Sequence, residues 1–334
     1  MGTAVGIIGT GAYLPEGALT NEELSRRLGV TPEWIFQQTG IAVRRIAPDG
    51  MLSSGMAVEA GRQALEQAGT AAEEIGLLIM ASSTPDASGP ATAALIQEAL
   101  RIPQAMCFDL SAGCSGFVYA LATACHLVSS GFCAKGLVIG ADKFSRVVDP
   151  DDTGTAILFG DGAGAVVVGQ VADGSGLLAS DMGCDGSRFE AVWLPGAEGS
   201  RPVPAGSTVK PGPFVHMDGL QVFGFSMRVI GDSVGRVLDR TGLTMADVDL
   251  LIPHQANRRI VEAAAGRLNL PMEKVFLDIE ECGNTSAASI PIALHHAVEQ
   301  GRILPGGLIL LVGFGAGLSW GSSLLRWNHP ATTC

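Results

Sequence analysis

Apolar residues in this chain fall into short runs, each followed by a stretch in which they recur every three or four positions. EEIGLLIMASST (73–84) and ADVDLLIPHQAN (246–257) each read as an acidic helix end running into a short strand. A helical segment follows in both places, AALIQEALRIP after the first and RRIVEAAAGRLNLP after the second. CFDLSAGC and FLDIEECGN then supply a second strand with a strand-to-helix junction, and KGLVIGADKF and GLILLVGFGAG a third strand. Ile79 aligns with Ile252 and Asp109 with Asp278, which sets Cys114 opposite Gly283, next to Asn284. Two strand–helix units in the same order predict an α/β fold made of duplicated halves, residues 1–170 and 171–334, related by a pseudo-twofold.

The repeat gives meaning to one cysteine. Residues 106–110 read as a buried strand, and 116–128 carry Phe117, Ala120, Leu121, Ala124 and Leu127 at helical spacing. Cys114 lies between them, at a helix N-terminus, where unpaired N–H groups and the helix dipole are expected to lower the thiol pKa. Taken alone, such a cysteine is more often a structural one. Sites in open α/β sheets, however, form at the carboxyl ends of strands. His254 ends the first strand of the second half, and Asn284 follows the strand after it. Pseudo-symmetry would bring Cys114, His254 and Asn284 together. A thiol, a neutral imidazole and a carboxamide suit thioester chemistry: sulfur takes up an acyl group and two donors hold a developing oxyanion. The plainer roles are a hydrogen-bonded loop histidine for His254 and a helix N-cap for Asn284.

Composition narrows the field. At 334 residues with 47% apolar content, the chain can bury a large core, and 45 glycines with 5% aromatics fit helices packed closely on sheets. Seven cysteines without CxxC or Cys/His ligand spacing indicate neither a zinc site nor a disulfide framework, so reduced thiols in a cytoplasmic protein are expected. His295 and His296 are adjacent on a helix without carboxylates at ligand spacing, so no metal is expected. The first residues lack a basic region and a long apolar core and read as a strand, not a signal peptide. No apolar stretch is long enough to span a bilayer, and a net charge of −12 argues against nucleic-acid binding. GTGAYLP and FGDGAGAVVVG lack the strand-to-helix context of nucleotide-binding loops, so tight turns between layers are the expected use of their glycines. Proline and glycine in the 195–215 segment exclude regular structure there.

WIFQQTGI (34–41), DLSAGCSGFVYAL (109–121), DPDDTGTAILFGDGAGA (149–165), MDGLQVF (217–223), PHQANRRI (253–260), GNTSAASIP (283–291) and GFGAGLSWGS (313–322) together carry a resemblance. Over almost its whole length the chain resembles the ketoacyl-acyl-carrier-protein synthase III family of thiolase-like enzymes. The resemblance implies a five-layered αβαβα sandwich, a homodimer and a decarboxylative Claisen condensation. No cofactor is implied; CoA and phosphopantetheine thioesters are the substrates. Cys114 would be acylated by an acyl-CoA, with the backbone N–H groups of Cys114 and of Ala316, which matches a family glycine, as oxyanion hole. Malonyl-acyl-carrier protein would follow, its thioester oxygen held by His254 and Asn284 while CO2 leaves. Two transfers through one sulfur imply ping-pong kinetics.

The resemblance also locates departures. Trp34 and Arg259 match residues that hold CoA, and Phe223 joins them as a substrate contact, but Gln38 and Thr153 stand where arginines are usual. Weaker CoA binding, or delivery of the acyl group on a carrier protein, is therefore expected. Gly89 stands where the family often places a bulky aromatic that closes the acyl tunnel, which predicts a primer longer or bulkier than acetyl. Carrier-protein docking falls to Arg258, Arg259 and Arg267, while Gly224 and Gly266 occupy positions where lysine is common. Two other readings compete: a specialised acyltransferase that passes its acyl group to a non-malonyl acceptor, and a non-catalytic partner of an active homologue.

Overall fold

The computed structural model describes residues 3–195 and 213–328; most of the 195–215 segment lies outside them. The two halves form two sheets with one plan. In the first, strands run in the order Val5–Tyr13, Asp161–Gln170, Lys135–Lys143, Ile75–Ala81, Met106–Leu110. In the second the order is Gly176–Cys184, Ser319–Arg326, Leu308–Gly315, Leu250–Pro253. Leu251 then makes a single parallel bridge to Val275, at the place the fifth strand holds in the first sheet. Parallel and antiparallel pairings match position by position, as a duplication requires.

Side chains alternate between two cores because successive strand residues point to opposite faces. Leu77, Ile79 and Ala81 face inward, and Leu250, Ile252, Ile309 and Leu311 of the second sheet share the same cluster. The helices Gly116–Ser129 and Ser289–Glu299 fill the space between the sheets. Leu78 and Met80 face outward onto the helix Ser53–Gln67, and Leu310 and Val312 onto Gly219–Thr241 and Arg258–Arg267. The result is five layers, αβαβα. With helices on both faces, central strands must be apolar on both, which is why they read as unbroken hydrophobic runs.

Three local expectations change. Met106–Leu110 is a strand of the expected length, but it is the edge of its sheet and only partly buried. The segment before Asn284 keeps only the bridge at Val275 and then a short helix, Ile279–Cys282. The glycines of the two rich runs lie mostly inside strands and not in turns: a Cβ on Gly164 would sit 2.6 Å from the Ile292 nitrogen, and one on Gly9 2.6 Å from the Ala68 Cβ. Close approach of helix backbone to sheet is their use. Among the described residues, no helix is long and apolar enough to cross a membrane.

Candidate active site

Cys114 follows the strand Met106–Leu110 within the 3-10 turn Gly113–Ser115, which leads into the central helix Gly116–Ser129. Gly113 has φ +55°, and a Cβ there would lie 2.9 Å from the Ala316 Cβ. A Cβ on Gly315 would lie 2.8 Å from the Cys114 Cβ. These two glycines let the Gly315–Ala316 loop of the second half close over Cys114 of the first. Burial pushes the Cys114 thiol up to about 12; the Ser286 hydroxyl and the backbone N–H groups of Cys114 and Ala316 pull it down, and the Asp142 carboxylate adds to the rise. The lowered pKa expected from the helix terminus is therefore not found, because removal of the thiolate from water outweighs every local donor. Ser286 Oγ lies 3.4 Å from Cys114 Sγ.

His254 follows the strand Leu250–Pro253, its N–H bonded to the Val312 carbonyl at 2.7 Å. It is 1% exposed, and the Phe314 ring meets its ring edge-on at 5.4 Å. Burial pulls the imidazole down to about 3, so the ring is neutral at pH 7. Nδ1 lies 2.7 Å from Ser289 Oγ, and Ser289 Oγ accepts from the Gln255 N–H at 3.3 Å. The Ser289 hydroxyl is itself buried and has no other acceptor among the described residues, so it donates to Nδ1. That bond fixes the tautomer: the proton of His254 is on Nε2, which has no bond to a described residue.

Asn284 is held by its backbone, with its N–H on the Leu158 carbonyl at 2.9 Å and its carbonyl accepting from the Gly160 N–H at 3.0 Å. Oδ1 accepts from the Ser286 N–H at 2.9 Å, which identifies the oxygen and leaves Nδ2 without a partner among the described residues. Behind this loop, the buried Asp142 accepts from Ser82, Ser83 and Thr84 on one side and from the Ala287 N–H at 3.0 Å on the other. Asp142 thus ties the first half to the Asn284–Ser289 segment. Sequence reasoning missed Ser286, Ser289 and Asp142. A serine at such positions reads as an ordinary helix-start residue, and only the fold shows what its hydroxyl meets.

The peripheral residues divide. Trp34, on the helix Pro32–Thr39, is exposed, and Arg259 Nη1 donates to Gln38 Oε1 at 2.8 Å, so Trp34, Gln38 and Arg259 share one neighbourhood. Thr153 opens a short helix capped by Asp152, beside Asp149 and Asp151, and Asp151 pairs with Arg27 at 2.6 Å. Phe223 is exposed on the helix Gly219–Thr241. Arg258 is not a free docking charge: it pairs with Glu280 at 3.1 Å and lies over the Phe36 ring. Arg267 is exposed at the far end of the same helix, about 12 Å along from Arg259. Gly89 is exposed, and a Cβ added there would meet no atom within 4 Å. A cavity of about 830 Å³ lies against the cysteine loop, lined among others by Ala112, Leu110, Tyr119, Cys184, Trp193 and Ala316. His295 and His296, expected to lack carboxylates at ligand spacing, each have one: His295 Nε2 is 3.4 Å from Glu299 Oε1 and His296 Nδ1 is 2.9 Å from Asp278 Oδ2.

Comparisons with known proteins show the family of the chain. The family described as 3-oxoacyl-[acyl-carrier-protein (ACP)] synthase III matches residues 108–186, and its C-terminal family residues 238–327. The chain is 49% identical over 324 residues to beta-ketoacyl-[acyl-carrier-protein] synthase III 1 of Bacillus cereus, covering 97% of this chain and 99% of that protein. Among solved structures it superposes on 3-oxoacyl-(acyl carrier protein) synthase III from Pseudomonas aeruginosa PAO1 with a TM-score of 0.90 at 43% identity, covering 98% and 99% of the two chains. It superposes on the priming beta-ketosynthase of the R1128 polyketide pathway with a TM-score of 0.91 at 35% identity, covering 98% of each. The chain belongs to the 3-oxoacyl-[acyl-carrier-protein] synthase III family and is an acyltransferase of that class.

Proposed function

We infer that the site condenses an acyl thioester with malonyl-acyl-carrier protein, giving 3-oxoacyl-acyl-carrier protein and CO2. Cys114 attacks the acyl carbonyl, its proton passes to the departing donor sulfur, and the donor leaves as a thiol. The N–H groups of Cys114 and Ala316, already directed at the sulfur, hold the oxyanion. Loss of CO2 from the malonyl group then places negative charge on its thioester oxygen, and the enolate carbon attacks the acyl-Cys114 carbonyl, forming the carbon–carbon bond and expelling the Cys114 thiolate. The single observation that carries the reading is the pair of free donors, Nε2–H of His254 and Nδ2 of Asn284, each fixed in orientation by a serine. Removing one such donor costs about 2.7–4 kcal/mol, or roughly 10²–10³ in rate. Neutral His254 donates without carrying a charge that would have to be desolvated.

The remaining features shape the substrates. The lack of a side chain at Gly89 and the cavity lined by Ala112, Gly113 and Ala316 next to Cys114 in the chain favour a primer longer or bulkier than acetyl, for a fatty-acid or polyketide chain. Gln38 occupies Arg259, and the loop at Thr153 is acidic, so the phosphates of CoA meet fewer cations than two arginines would supply. Arg259 and Arg267 serve an acidic carrier protein. The half-exposed edge strand Met106–Leu110 is the face through which a second copy would complete a homodimer. The described cysteines are all free, which fits a reducing cytoplasm.

The test separates the half-reactions. His254→Ala and Asn284→Asp should still accept an acyl group on Cys114 but release CO2 from malonyl-acyl-carrier protein about 10²–10³ more slowly. Variants that lose acylation while decarboxylating normally would overturn the assignment.

A further inference from the structure

The geometry points to a second site, for a thiophilic divalent cation of the zinc class, formed by Asp278, Cys282 and His296. Their donor atoms, a carboxylate oxygen, a sulfur and a ring nitrogen, all lie within 4.8 Å of one another. Tetrahedral zinc holds such ligands at about 2.0–2.3 Å, which places them roughly 3.3–3.8 Å apart. The observed cluster needs adjustments of about an ångström to reach that spacing. His296 Nδ1 and Asp278 Oδ2, now 2.9 Å apart, must separate slightly, and Cys282 Sγ must close in.

The fold supplies the convergence. Asp278 precedes the short helix Ile279–Cys282, so Asp278 and Cys282 stand one helical turn apart on one face. His296 reaches them from the long helix Ser289–Glu299. Cys282 is 3% exposed, while the His296 and Asp278 side chains are 24% and 11% exposed, so a cation enters past the histidine and water takes the fourth position. A thiolate and a carboxylate balance the two positive charges. The Cys282 proton leaves to solvent on binding. Arg45 is the opposing charge nearby, and its Nε is committed to the Glu281 carbonyl at 3.0 Å.

Position gives the site a consequence. Only Gly283, at φ +70°, separates Cys282 from Asn284. A cation joining Cys282 to His296 would brace the segment that sets Asn284 against the helix that carries Ser289.

The experiment uses the full-length chain, stripped of metal, with Cys114→Ala as background so that the active-site thiol cannot bind the probe. Cobalt(II) is the probe. One equivalent should give a thiolate-to-cobalt charge-transfer band with ligand-field bands of tetrahedral strength, and zinc should displace it. Cys282→Ser should abolish the charge-transfer band, and Asp278→Asn and His296→Gln should each weaken binding more than about tenfold. Zinc should raise the thermal midpoint of the wild type but not of Cys282→Ser. Absence of the band at stoichiometric cobalt, or its persistence in a folded Cys282→Ser protein, would overturn the site and leave the three residues a hydrogen-bonded cluster.

Discussion

Replacing Ser289 by alanine tests whether the tautomer of His254 is set where the structure places it. The Oγ–Nδ1 contact is 2.7 Å, with His254 1% and Ser289 2% exposed, so no solvent is at hand to substitute for the lost hydroxyl. A buried hydrogen bond to an uncharged partner contributes about 1–2 kcal/mol, which converts to roughly 5–30-fold in the population of the productive ring state. Loss of the Nε2–H donor itself would cost about 10²–10³, so Ser289→Ala should fall between wild type and His254→Ala. The assay follows CO2 release from saturating malonyl-acyl-carrier protein, and separately the acylation of Cys114 by intact-protein mass. Decarboxylation should drop by the factor above while acylation changes less than about twofold, and nitrogen NMR of the ring should show the Nδ1–H form appearing. Wild-type CO2 release, or equal loss in both half-reactions, would refute the reasoning.

Further expectations concern the thiol, the donor and the primer. Burial raises the Cys114 thiol to about 12 and lowers His254 to about 3, so the resting side chains are a thiol and a neutral imidazole. Below the thiol pKa the thiolate fraction rises with pH, so iodoacetamide labelling of Cys114 should climb about tenfold per unit between pH 7 and 9; a plateau below pH 7 would contradict it. Gln38→Arg with Thr153→Arg should lower the acyl-CoA KM and leave the malonyl-acyl-carrier-protein KM unchanged, as steady-state kinetics can show. Gly89→Phe should shift the profile across acyl chain lengths toward acetyl; an unchanged profile would place the selectivity elsewhere.

Sequence patterning recovered the duplication because a strand covered on both faces leaves an unmistakable apolar run, as in GLLIMA and LILLVG. It did not tell that Met106–Leu110 is an edge, since pairing on one side only changes exposure and not spacing. Val275, which keeps a single bridge, could not be told from a full strand for the same reason. Cys114 and His254 drew notice because each follows a strand, whereas Asn284 was placed by a strand that the structure reduces to the bridge at Val275 and a short helix. The state of the thiol was not legible, since a helix terminus is visible in sequence and the surrounding low-dielectric volume is not. Ser289 and Asp142 act across 35 and 145 residues, to His254 and Ala287, through contacts that no local pattern encodes.

The most direct test of the central claim is intact-protein mass spectrometry of wild type and Cys114→Ala, incubated with acyl-CoAs from acetyl to dodecanoyl and then with malonyl-acyl-carrier protein. The account predicts an acyl adduct that requires Cys114, favours chains beyond acetyl, and is discharged with one CO2 released per acyl group consumed. An adduct that persists with malonyl-acyl-carrier protein and is discharged only by another acceptor, or one that forms in Cys114→Ala, would contradict it.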